Sequence, residues 1–116
     1  MSESSETELS ASIRSAMETM GFWVERLQSG KLKGGKIRLC SPGTPDLLIV
    51  APIMAFVEVK QPGKKLSEEQ ESWHARARRY GVQVVTLTSV SGAIELGKIW
   101  LKVSQTRDWD RIGLGG

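Results

Sequence analysis

The sequence predicts an α/β fold, a central mixed β-sheet flanked by helices on both faces. Two runs, Leu47–Val50 and Ala55–Val59, are rich in aliphatic and β-branched residues and bounded by Pro and Gly, the pattern of two strands joined around Ala51-Pro52-Ile53-Met54. A third run, Val82–Thr88, is β-prone and apolar enough for a central or well-covered strand. Segments of helical spacing stand before and between these strands, and such alternation builds a layered α/β domain. At 116 residues with 40% hydrophobic side chains the chain makes one compact core and no second domain. The expected unit is 1–116, with residues 1–4 and 104–116 loosely ordered.

The first helix is expected from Ser5, because Ser5-Glu6-Thr7-Glu8 reads as a capping box with Ser5 as N-cap and Glu8 at N3. Leu9, Ile13, Ala16, Met17 and Met20 then recur at helical spacing, and Gly21 ends the run. Phe22–Leu27 reads as a strand. Residues 28–36 carry three glycines with Lys31, Lys33 and Lys36, so a basic loop is expected there, either tracking a DNA backbone or simply solvated. Ile37–Cys40 is a short strand or extended arm. Past Lys60, Gln61-Pro62-Gly63-Lys64-Lys65 is a turn with two more cations, and a helix follows over Ser67–Tyr80, opened by a second capping box, Ser67 with Gln70. Its expected sheet-facing side is Gln70, Trp73, Ala77 and Tyr80, with His74 at the surface. After the strand Val82–Thr88, Ala93, Ile94 and Leu96–Leu101 suggest a last helix interrupted at Gly97, with a closing strand at Ile99–Val103 as the alternative. Trp100 and Trp109 are read as ordinary packing in preference to a subunit contact.

The stretch Gly43–Lys60 carries the chemistry. Strand side chains alternate faces, so Glu58 and Lys60 share one face while Val57 and Val59 enter the opposite layer. If the two strands pair, Asp46 enters beside Glu58 and Lys60. Two neighbouring carboxylates repel unless a divalent cation lies between them. Mg²⁺ suits such a pair, because it takes one or two carboxylates and leaves positions for water and phosphate oxygens. A lysine two residues beyond one of those acids can hold an attacking water or offset charge on a phosphate. Phosphodiester hydrolysis is the reaction implied.

Those residues resemble the PD-(D/E)xK nucleases: Pro45-Asp46 matches the first half of their signature and Glu58-Val59-Lys60 the second. Within that group the chain looks most like the VRR-NUC family, whose small stand-alone members occur in phages and bacteria. The likeness includes the Gly-x-Pro-Asp form of Gly43–Asp46, Gln70 beyond the lysine, and Arg26-Leu27-Gln28-Ser29-Gly30 after a helix bearing an acid. The resemblance implies a restriction-endonuclease-like core in which Asp46, Glu58 and the Val59 backbone carbonyl bind Mg²⁺ or Mn²⁺. Lys60 would act on the attacking water, with Gln70 in the active site. The family's first-helix acid maps better onto Glu6, on the face of Leu9, than onto Glu8, and would meet the metal directly or through water. Both acids would equally favour a helix N-terminus without any such role. For Gln70, a side chain folded back onto the Ser67 amide is expected to compete with an active-site role. The same resemblance implies a homodimer acting on branched DNA, such as a four-way (Holliday) junction; separately, the basic loop and turn beside the motif make Lys31, Lys33, Lys36, Lys64 and Lys65 the expected DNA contacts.

Charge and composition bound these expectations without choosing among them. The net charge of +3 is compatible with a phosphate-bearing partner. One cysteine and one histidine cannot make an intramolecular disulfide, a zinc finger or a His-rich metal centre. Neither a signal-peptide core nor a membrane-length apolar run is evident, so a reduced, cytoplasmic setting is expected. Two other readings stand beside a nuclease: a non-catalytic nucleic-acid-binding module on the same fold, and an interaction protein in which these charges form a structural salt bridge.

Overall fold

The computed structural model describes residues 5–27 and 40–105. Seven elements follow in order: helix α1 (Glu6–Thr19), strands β1 (Trp23–Arg26), β2 (Leu47–Ala51) and β3 (Ala55–Val59), helix α2 (Glu68–Arg79), strand β4 (Val84–Leu87) and helix α3 (Val90–Gln105). The expected mixed sheet is present, in the order β1-β2-β3-β4. β2 runs antiparallel to both β1 and β3, whereas β4 is parallel to β3. A parallel neighbour needs a crossover, and α2 supplies it.

Local sequence explains the helix ends. Ser5 Oγ accepts from the Glu8 amide at 3.0 Å and Glu8 Oε1 accepts from the Ser5 amide at 2.9 Å, the predicted capping box. Gly21 follows with φ +103°, a left-handed conformation that a side chain resists.

The alternation of β2 and β3 divides the molecule into two layers. Leu47, Ile49, Ala55, Val57 and Val59 are buried in the main core with Ile13 and Met17 of α1 and Ala93 and Trp100 of α3. The opposite face of β3 meets α2 through Phe56, whose ring stands edge-on to Trp73 at 4.9 Å between centroids. Helices thus cover both faces, and the acid-bearing face of β3 is the one under α2.

β4 lies at the edge of the described sheet with Val84 and Leu87 buried, so of the two alternatives it is the covered strand and not the central one. Three expectations need correction. α3 is continuous through Gly97, and no strand forms at Ile99–Val103. Gly97 is buried where α3 crosses Met20 and Phe22. A Cβ there would lie 2.8 Å from Met20 Cε, so close packing outweighs the weak helix propensity of glycine. Ser104 and Gln105, expected in a loose tail, are the last residues of α3. Tyr80 caps α2 and is 79% exposed instead of facing the sheet, because the helix has ended and the chain turns away at Gly81. Trp100 is buried against Phe22, an intramolecular role as expected. The expected loop and arm over 28–39, and Trp109, lie outside the described residues.

Gly97→Val should crowd the Met20–Phe22 contact and lower stability by about 1–3 kcal/mol, the usual range for overpacking a filled site. Urea unfolding of the two proteins measures this, and equal midpoints would mean that α3 does not pack there.

Candidate active site

The hairpin register places the first two acids. Leu47 pairs with Val57, so continuing by one residue sets Asp46 across from Glu58, and alternation puts both on the face beneath α2. The pairing is reinforced at both edges of Asp46. Its carbonyl accepts from the Leu27 amide of the chain leaving β1 at 2.8 Å, and its Oδ2 accepts from the Val59 amide at 2.8 Å. One further step of register brings Pro45 opposite Val59. Proline has no N–H to offer the Val59 carbonyl, so the two halves of the sequence motif leave that oxygen without its strand donor from β2.

The segment ahead of Asp46 is built to approach α2. Ser41-Pro42-Gly43-Thr44 closes a turn with the Thr44 amide donating to the Ser41 carbonyl at 3.2 Å, and Gly43 has φ +87°. Proline second and a left-handed glycine third is the residue pattern of a type II turn. A Cβ on Gly43 would collide with the Glu69 carbonyl oxygen and come within 2.6 Å of its carbon. Glycine is therefore required twice over, by its φ and by contact with the first turn of α2.

Glu58 is 1% exposed. Gln70 Nε2 donates to its Oε2 at 3.3 Å, and His74 Nε2 lies 3.2 Å from its Oε1. Burial, then the charge of Asp46 and a hydrogen bond with it, push the Glu58 carboxyl up to about 8. Lys60 pulls in the opposite direction, and Glu6 adds the smallest upward push. Burial and the charge of Arg78 hold the His74 imidazole below its ordinary value. Without a cation the pair is thus a protonated acid beside a neutral imidazole at neutral pH.

Lys60 continues from β3 and is anchored by its amide to the Leu87 carbonyl at 3.0 Å, on the face of Glu58. Glu6 begins α1, which packs on the far face of the sheet, and its charge bears on Glu58. Lys64 and Lys65 are exposed on the turn after β3. Lys31, Lys33 and Lys36 lie outside the described residues.

Gln70 is folded back onto the Ser67 amide, its Oε1 accepting at 2.8 Å, and its Nε2 meanwhile donates to Glu58. A carboxamide has an acceptor end and a donor end, so the cap orients the donor toward the acid. His74, expected at the surface, is 1% exposed. The spacing Gln70, His74, Ala77 is i, i+4, i+7, one helical stripe, and Trp73, expected on the sheet-facing side, does meet Phe56 of β3.

Among the described residues no set of three or more His, Cys, Asp and Glu side chains is gathered to hold a metal ion. The donor set available is two carboxylates and a strand carbonyl, which fits Mg²⁺, an ion that keeps several waters and shares substrate oxygens, better than zinc.

A mixed sheet between helices, with two acids meeting at a hairpin end and a lysine on the same face, defines the PD-(D/E)xK class of nuclease folds. The VRR-NUC domain model matches residues 2–91, and the chain belongs to the VRR-NUC family. A solved structure described as a VRR_NUC domain superposes with a TM-score of 0.60 at 28% identity, covering 78% of this chain and 91% of that one. Comparison with curated proteins gave no match.

The folded protein binds the Glu58 proton more tightly than the unfolded chain, whose ordinary value is 4.5, so this group's contribution to stability falls as pH rises toward about 8. The lowered His74 value works the other way, but only below its ordinary 6.5. Between pH 6.5 and 8 the metal-free protein should therefore lose thermal stability, and Glu58→Gln should flatten that slope. Melting curves across this window test it; parallel slopes would mean that Glu58 titrates normally.

Proposed function

We propose that this protein is a divalent-cation-dependent DNA endonuclease that hydrolyses phosphodiester bonds in branched DNA. The observation that carries the reading is the buried Glu58 across from Asp46, two acids whose mutual repulsion a cation relieves, with Lys60 on the same face. Asp46, Glu58 and the Val59 carbonyl would hold Mg²⁺ or Mn²⁺, which would polarise a phosphoryl oxygen and acidify a bound water. Lys60 orients the attacking water and offsets charge developing on the phosphate. Gln70 steadies Glu58, and Glu6 adds negative potential from the start of α1. Lys64 and Lys65, together with Lys31, Lys33 and Lys36, neutralise DNA phosphates without reading sequence. A homodimer would bring two such sites together, the arrangement that symmetric cutting of a four-way junction calls for; the family resemblance supports this finer part of the reading.

Labelled four-way junction, flap and linear duplex, incubated with Mg²⁺, Mn²⁺ or EDTA, test the proposal. Wild type should cut branched DNA only with a divalent ion, and in the junction the cuts should be paired and symmetric. Asp46→Asn, which can still accept from the Val59 amide, should stay folded and lose cleavage by about 100-fold or more, the scale at which removing one charge-stabilising group acts. Binding of branched DNA without cleavage under any metal would make the protein a binding module instead.

A further inference from the structure

We propose that His74 is a positioning residue for Glu58: it holds one carboxylate oxygen through Nε2 while Gln70 holds the other, so the acid is oriented for a cation in advance. The inference rests on the metal-dependent reading of the site. Its basis is geometric. His74 Nε2 is 3.2 Å from Glu58 Oε1, and Gln70 Nε2 is 3.3 Å from Oε2. Both partners project from α2, one helical turn apart, so they engage the carboxylate from the helix side and leave its remaining lone pairs toward Asp46.

His74 is withdrawn from solvent, being 1% exposed, and its Nε2 is already engaged by Glu58. A general acid or base needs access to the reacting atoms, so the imidazole acts through Glu58. A free glutamate would lose the freedom of three rotors on meeting a cation, whereas one already clasped at both oxygens has surrendered it during folding. α2 can impose this order because it is itself fixed on two sides: Trp73 packs on Phe56 of β3, and Gly43 lies against the backbone of Glu69 and Gln70. A buried histidine could otherwise be mere filling, and a leucine would fill the space nearly as well. The two roles part company at a variant that keeps the donor but not the ring.

The test compares wild type, His74→Gln and His74→Leu by calorimetric titration with Mn²⁺ alone. His74→Leu should bind Mn²⁺ about 10–100-fold more weakly, the usual effect of losing a partner behind a metal ligand, and His74→Gln should retain most of the affinity. In cleavage assays His74→Leu should need more Mg²⁺ for half-maximal rate while approaching the wild-type rate at saturation. Equal Mn²⁺ affinity in wild type and His74→Leu overturns the inference and leaves the metal site standing. If wild type binds no Mn²⁺, the metal-dependent reading fails, and the inference with it. Should His74→Leu not fold, nitrogen-15 NMR of wild type saturated with Mg²⁺ decides: a protonated Nε2 supports the bond, and a ring protonated only at Nδ1 overturns it.

Discussion

Glu58 sets the terms for the rest of this structure. A carboxylate withdrawn from water is costly unless it is protonated, paired or shared with a cation, and here burial is compounded by the charge of Asp46 across the hairpin. The chain answers with hydrogen-bond partners from one helix, Gln70 and His74, and with the opposing field of Lys60. None of these fully offsets the desolvation, which is why the group holds its proton up to about pH 8. A cation between the two acids would relieve that cost, which is the basis of the metal-dependent function proposed for the site.

The same carboxylate explains how distant segments depend on one another. Asp46 reaches its place because Leu47 and Ile49 are locked into the core with Val57 and Ala55, and because its own Oδ2 is tied to the Val59 amide. Gln70 points correctly because its other end caps α2 at Ser67. α2 stands at the right height because Gly43 allows the Ser41–Asp46 segment to approach its first turn. A glycine, a helix cap and a hairpin register, each an ordinary structural device, converge on one side chain. Family membership agrees with this plan, since the matched residues 2–91 contain all three.

Much of this was legible in the residues themselves. The two capping boxes, the hairpin and the mixed sheet follow from patterns confined to a few consecutive positions. Asp46, Glu58 and Lys60 could be grouped because strand alternation is strict and the strands that carry them are consecutive. The errors fell where an outcome depends on a remote partner. Gly97 does not interrupt α3, because Met20 and Phe22 pack against the bare backbone. His74 stands in a basic run with Arg76, Arg78 and Arg79, and nothing nearby in sequence announces a buried acid sixteen positions away.

The sequence by itself determined the element types, the hairpin and the identity of the acid pair with its lysine, since these depend on short-range propensity and period. Only the tertiary structure decided that α2 lies over the acid-bearing face of β3, that Gln70 serves cap and carboxylate together, and that His74 belongs beside Glu58. The physical reason is that burial is a property of packing between elements distant in the chain. An amphipathic stripe says that a helix will bury a face, while the side chains waiting beneath that face are supplied by another element, here β3.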